Sequence, residues 1–221
     1  MSGTNEARGT PNGQDRPGIT TVLWDFGGVL TTSPFDAFAA YESVNSLPPG
    51  FIRRLNSTNS DSNAWAGLER GEVTLDEFAI LFEAEALRAG AAVDARAIME
   101  QLSGELRPDM VEAVRRCHER LKTGLLTNNF ARGSDEPSFA EVLDHFDAVI
   151  ESSKAGCRKP DIRFYEMACE LMEIEPSEAV FLDDLGVNLK PARSMGMRTI
   201  KVADPAQAIM DLEELVGFPL A

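Results

Sequence analysis

From about residue 108 onward, short apolar runs alternate with amphipathic stretches. Gly124-Leu125-Leu126, Ala148-Val149-Ile150, Ala179-Val180-Phe181-Leu182 and Thr199-Ile200-Lys201-Val202 are separated by segments with helical spacing. A short run that is apolar at successive positions fits a strand buried on both faces, and a helix between two such strands returns the chain by a right-handed crossover. The pattern therefore predicts an α/β fold with a mostly parallel sheet flanked by helices. One more run of this type, Thr20-Thr21-Val22-Leu23-Trp24, lies far upstream and passes into Asp25 and Gly27-Gly28, which reads as a first strand ending in a tight loop. Helices are expected through Met110 to Leu121, Phe164 to Met172, from about 188, and over about 206–216.

The section from about 33 to 105 has a different period and no convincing strand. Thr74 with Glu77 three residues later makes a capping box ahead of Leu75, Phe78, Leu81 and Phe82, whose spacing is that of an amphipathic helix. A small helical bundle is expected there, with Trp65, Leu68 and Phe78 in its core. Residues 1–18, rich in Gly, Pro and polar side chains, are expected to be a disordered tail. The expected division is thus a core of 19–32 and 106–221, with a helical domain of 33–105 inserted after the first strand.

The formal net charge of −15 argues against nucleic acid and anionic lipid as partners, and requires that any anionic ligand meet a locally positive pocket. No run approaches a membrane span, and the N-terminus lacks a charged-then-apolar layout, so a cytoplasmic protein is expected, monomer or homodimer. Cys117, Cys157 and Cys169 form no CxxC pair and are read as ordinary thiols, with Cys157 near Lys159 open to a lowered thiol pKa. His118 and His145 show no catalytic pairing and are read as structural.

Ligands of an open parallel sheet bind beyond the carboxyl ends of its strands, and several of those ends carry polar groups. Asp25 follows the first strand, Thr127-Asn128 the second and Asp183-Asp184 a later one, while Lys159-Pro160 lies in a loop before a helix. Carboxylates forced together repel, and the usual remedy is a hard divalent cation; magnesium, which needs few carboxylates beside water and a substrate phosphate, fits this supply. Thr127, Asn128 and Lys159 are then candidates to hold phosphate oxygens, leaving Asp25 to attack.

In order, the strings VLWDFGGVL, LLTNN, Lys159-Pro160-Asp161 and FLDDLGVNLKPARSMGM resemble the four motifs of the haloacid dehalogenase (HAD) superfamily. The last is especially similar to the subgroup of the soluble epoxide hydrolase N-terminal phosphatase domain and of a domain fused to certain acyl-CoA dehydrogenases, and AWAGLERGEVTLDEF resembles that subgroup's cap. The resemblance implies a Rossmann-like core with a small α-helical cap, and a magnesium-dependent hydrolase acting on a small phosphorylated metabolite. It implies Asp25 as nucleophile forming an aspartyl-phosphate and Thr127 and Lys159 on phosphate. Magnesium would lie on Asp25, Asp184 and the Gly27 backbone carbonyl, with Asp183 ligating directly or through water. Asn128 would support the substrate and Asn188 the outer shell of the metal.

One position departs from that pattern. Most HAD phosphatases carry a second aspartate two residues after the nucleophile, which protonates the leaving group, and this chain has Gly27. General acid catalysis is typically worth about 10²–10⁴-fold, so its loss favours leaving groups that depart without protonation. Among Thr31, Thr32, Ser33 and Asp36, only Asp36 carries a carboxyl group, which makes it the candidate to take over that role. Two alternatives follow: a HAD domain that binds a phosphorylated ligand or protein partner without turnover, and a haloacid dehalogenase, a reading that leaves Asp183-Asp184 without a purpose.

Overall fold

The computed structural model describes residues 18–102, 104–130 and 139–220. Of the tail expected over residues 1–18, all but the last residue lies outside the described residues. Five strands, β1 (Thr21–Trp24), β2 (Lys122–Thr127), β3 (Ala148–Glu151), β4 (Ala179–Asp183) and β5 (Arg198–Lys201), form one sheet in the order β3-β2-β1-β4-β5, every pairing parallel. β1 and β4 lie in its middle and are buried at every position, as expected of the apolar runs over 22–24 and 179–182 that make up most of them.

After β1 the chain runs first through α1 (Pro34–Val44), α2 (Phe51–Ser57), α3 (Ala64–Glu69), α4 (Leu75–Arg88) and α5 (Ala95–Glu100). After them α6 (Pro108–His118) precedes β2, followed by α7 (Ala140–Leu143), α8 (Ser152–Ala155), α9 (Ile162–Met172), α10 (Gly186–Met195) and α11 (Pro205–Val216). Alternation along β1 sends Val22 and Trp24 to one face of the sheet, where they join Met110, Val114 and Leu212 of α6 and α11. Leu23 goes to the other face with Phe164, Ala168 and Leu189 of α9 and α10. The short helices α7 and α8 were not evident from periodicity, since four residues hold barely one turn.

Helices α1–α5 have an apolar cluster of their own, built on Phe38, Tyr41, Ile52, Leu68, Phe78, Phe82 and Ile98. Phe78 and Phe82 stack at 5.1 Å, and the half-buried Trp65 meets Phe38 at 5.7 Å and Phe78 at 5.4 Å, both edge-on. The capping box of Thr74 and Glu77 opens α4, and the buried Glu42 carboxylate accepts from Gly50 N (2.6 Å) and Ile52 N (2.8 Å) where α2 begins. The chain enters and leaves this section side by side. Thr31 bridges Leu106, Thr32 N donates to Glu105 O at 2.9 Å, and Arg107 N donates to Leu30 O at 2.8 Å.

Among the described residues no helix is long and apolar enough to cross a membrane. His118 and His145 face each other at 6.1 Å beside Thr123, near the amino end of β2 and so away from Asp25. All three cysteines are free and buried. Burial pushes the Cys157 thiol up, which corrects the expectation of a lowered one: Asp161 adds to the rise, and the Arg163 guanidinium only partly offsets it.

Phe82→Ala removes a side chain 1% exposed from the middle of the helical cluster and should cost about 3–5 kcal/mol. Leu87→Ala, on the same helix but 63% exposed, should change stability by less than about 0.5 kcal/mol. Urea denaturation of the two variants checks the pair, and equal losses would mean that the cluster does not hold this section together.

Candidate active site

The strand order reverses at β1: β2 and β3 step away to one side and β4 begins on the other. In parallel sheets that reversal opens a crevice at the carboxyl ends. Trp24 pairs Leu182 in register and Asp25 N donates to Leu182 O at 2.9 Å, so Asp25 and Asp183 emerge side by side at the crevice. One carboxylate oxygen from each of Asp25, Asp183 and Asp184 lies within 4.8 Å of the others. The buried Lys159 Nζ sits 2.7 Å from Asp25 Oδ1 and 2.8 Å from Asp183 Oδ2.

These carboxylates are not equivalent. Asp183 is buried and saturated: Asn188 Nδ2 donates to both its oxygens at 3.0 Å, Leu185 N to Oδ1 at 2.8 Å, and Lys159 to Oδ2. Asn188 thus sits behind Asp183, and Asp183 in turn anchors Lys159. Asp25 Oδ1 takes both Lys159 and the Phe26 N–H (2.7 Å). Among the described residues, Asp184 is supported by no N–H but its own.

The charges respond accordingly. Burial holds the Asp25 carboxyl well above the usual carboxylate range, with Lys159 pulling it back and Asp183 and Asp184 pushing it further. Asp184 is pushed up to about 6, by burial first and Asp183 second. Burial would lower Lys159, but Asp183 and Asp25 outweigh it and hold the ammonium charged.

Lys159 is fixed through its backbone as well. Asn128 Oδ1 accepts from Lys159 N at 2.9 Å, and Asn128 Nδ2 donates to Lys159 O at 3.0 Å. The Asn128 amide, expected at the substrate, is therefore already engaged in positioning the lysine. Thr127 lies half-buried at the carboxyl end of β2, the strand that pairs with β1. Asp36 is exposed on α1 and makes no hydrogen bond with these residues, so the one acid proposed to replace the missing general acid is not brought to the cluster.

The two glycines differ sharply. Gly28 has φ +79°, and a Cβ built there would stand 2.5 Å from Asp184 Oδ2, so glycine is what lets the Asp184 carboxylate come close. At Gly27 a Cβ would meet only Pro34 Cδ, at 3.9 Å. There is room at residue 27 for a side chain, and the Gly27 carbonyl accepts no hydrogen bond among the described residues.

Sequence reading missed the neighbours above the cluster. Glu69 at the end of α3 is buried, accepting from Arg158 Nη1 at 2.6 Å and Trp65 Nε1 at 2.9 Å, with Asn128 Nδ2 at 3.4 Å. Burial raises its carboxyl above the usual value and Arg158 partly offsets the rise. Trp65, assigned to the cluster of α1–α5, belongs to it and also supports this pair.

A family model described as haloacid dehalogenase-like hydrolase matches residues 19–196. The chain is 37% identical over 206 residues to acyl-CoA dehydrogenase family member 10 of Mus musculus, covering 90% of this chain and 19% of that protein. It is 30% identical over 219 residues to bifunctional epoxide hydrolase 2 of Sus scrofa, covering 91% and 40%. This chain therefore spans about a fifth and two fifths of the length of these two relatives. Sesquiterpene phosphatase astK of Aspergillus oryzae is 28% identical over 207 residues, covering 89% of this chain and 96% of that one. Among solved structures, a HAD family enzyme of Bacteroides thetaiotaomicron in complex with magnesium and inorganic phosphate shares the fold, at TM-score 0.59 and 20% identity over 83% of this chain and 94% of that one.

Gly28→Ala should cost about 1–3 kcal/mol, from the strain of a positive φ and the displaced Asp184. Gly27→Ala should be neutral within about 1 kcal/mol. Thermal unfolding of the two variants side by side is the measurement, and a Gly27→Ala loss as large as that of Gly28→Ala would contradict the space described at residue 27.

Proposed function

This chain belongs to the haloacid dehalogenase-like hydrolases, and we propose that it is a magnesium-dependent phosphatase of a small phosphate ester with Asp25 as its nucleophile. The observation that carries the reading is the buried cluster itself. Three carboxylates face one ammonium, so the ionised set carries two uncompensated negative charges in a buried place. A divalent cation with oxygen ligands removes that excess. The residues fit such an ion. Asp25 keeps Oδ2 clear of both its donors, Asp184 is free of outside donors, and the Gly27 carbonyl is unbonded among the described residues. Asp183, whose oxygens are already occupied, would act through Lys159 or through water. When bound, magnesium would neutralise phosphate charge beside Asp25 and keep that carboxylate ionised.

In this reading Asp25 attacks phosphorus, the ester P–O bond breaks and its electron pair leaves with the alcohol oxygen. Lys159 and Thr127 hold the phosphoryl oxygens during the transfer. Water then cleaves the aspartyl-phosphate, returning the Asp25 carboxylate and releasing inorganic phosphate. With glycine at 27 no carboxylic acid follows the nucleophile to protonate the leaving oxygen, so esters of acidic alcohols or acyl phosphates suit the site best. Helices α1–α5 are read as a cap that shields the reaction from bulk water. The phosphatase similar over nearly its whole length supports the activity, and the clustered acids count against dehalogenation.

Gly27 also favours a second reading, binding of a phosphorylated ligand without turnover. A panel of sugar, aryl and acyl phosphates separates the two. On the first reading the wild type releases phosphate only with magnesium, Asp25→Asn abolishes release, and Gly27→Asp speeds alkyl esters by about 10²–10⁴-fold with little effect on aryl esters. Silence from wild type across the panel with activity in Gly27→Asp would favour the second.

The cation makes a prediction independent of activity. Asp184 at about 6 lies above its unfolded value of about 3.9, so it binds a proton more tightly folded than unfolded. Metal-free protein therefore loses stability as pH rises through that window. Magnesium competes with that proton, so its stabilisation, about 2.7 kcal/mol at a hundredfold excess over Kd, should be larger at pH 7.5 than at pH 5 and should largely vanish in Asp184→Asn. Calorimetry with and without magnesium reads this, and a pH-independent gain retained in Asp184→Asn would place the cation elsewhere.

A further inference from the structure

Arg158 and Lys159 are consecutive, and their side chains run to opposite partners. Lys159 enters the carboxylate cluster, whereas Arg158 reaches the helical section, donating to Glu69 Oε2 at 2.6 Å and to the Ser60 carbonyl. The Glu69 and Arg158 side chains are only 11% and 17% exposed, so this pair is largely shielded from water, unlike the surface ion pair of Arg96 and Asp76. Glu69 also meets Asn128, whose amide grips both backbone polar atoms of Lys159. The same face of the section lies close on α8: Gly71, at φ +70°, passes so near that a Cβ there would stand 2.6 Å from the Ser153 carbonyl oxygen.

We propose that Glu69 and Arg158 are positioning residues: their ion pair seats helices α1–α5 on the core and, through Asn128, fixes Lys159 in register with Asp25. Neither side chain touches the reacting atoms in this scheme. With the pair joined, the loop carrying Lys159 is held from both sides, by Asp183 below and Glu69 above. With it broken, the contact between Gly71 and Ser153 and the two hinge strands around Thr31 and Leu106 remain, and the section sits more loosely on the core. The loss appears first in the step that needs Lys159 in place, which is kcat. Substrate docking on Thr127 is less affected.

The kinetic half of this proposal rests on the phosphatase reading, and the structural half does not. Hydrogen exchange of the full chain, without substrate, compares wild type with Glu69→Ala, Arg158→Ala, the double variant, and the exchanged pair Glu69→Arg with Arg158→Glu. The expected result is faster exchange in α3 and in residues 30–32 and 105–107 for both single variants, no further increase in the double variant, and at least partial return in the exchanged pair. With p-nitrophenyl phosphate as probe, kcat should fall about 10–100-fold in either single variant with KM changed far less, and the two losses should not add. Gly71→Ala, which disturbs the seat by bulk rather than charge, should show the same exchange pattern. Unchanged exchange at α3 and the hinge strands overturns the seat whatever the activity, and additive kinetic losses or a rise confined to KM overturn the positioning role. If wild type hydrolyses nothing, the exchange arm alone still decides the seat.

Discussion

The Lys159 ammonium, buried between Asp25 and Asp183, is the contact on which the rest of the site depends. Taking a charge out of water costs several kcal/mol even after relaxation, and only well-placed opposite charges and complete hydrogen bonding repay it. The fold meets that demand from several directions. β1 and β4 lie adjacent and parallel, so their carboxyl ends deliver two aspartates to one place. The start of α10 turns Asn188 and the Leu185 N–H onto Asp183, and the end of β2 turns Asn128 onto the Lys159 backbone. Removing Lys159 would leave these carboxylates without their nearest cation. Removing Asp183 would leave the lysine without its anchor.

The two glycines that follow Phe26 show how the same residue type carries opposite meanings. At Gly28 the backbone is left-handed and an aspartate fills the space a side chain would occupy. At Gly27 neither constraint holds. Structure alone therefore demands glycine at 28 and not at 27. The absence of an acid at 27 therefore bears on chemistry, and on the phosphatase reading it decides which leaving groups the site accepts.

Much of this was legible in the sequence, for a local reason. An acid at the end of an apolar run is a pattern within a few residues, and parallel topology brings such ends together, so Asp25, Thr127, Lys159, Asp183 and Asp184 could be placed at one crevice before any coordinates. Strand positions followed from their apolar runs. What could not be read was pairing at a distance. Glu69 and Arg158 are 89 residues apart, in segments of different period, and nothing in either string marks the other. Trp65 looked like core by spacing and is core, yet its indole N–H also serves Glu69. Asp36 is near Asp25 in sequence, but a helix start that faces water places it at the surface. For Cys157 the burial was invisible, and burial moves a thiol opposite to a nearby cation.

Charge sets an order of events on the phosphatase reading. The chain carries −15 overall, and the cluster adds three acids against one lysine at the point where a phosphate would have to sit. A phosphate dianion arriving first would meet repulsion from the chain's net negative charge and from the acidic cluster, while Lys159 is already committed to two carboxylates. A divalent cation meets attraction from both and turns the cluster from a barrier into a receptor. Binding of the ion before the ester is then the electrostatically downhill sequence. The negative net charge also helps gather the ion.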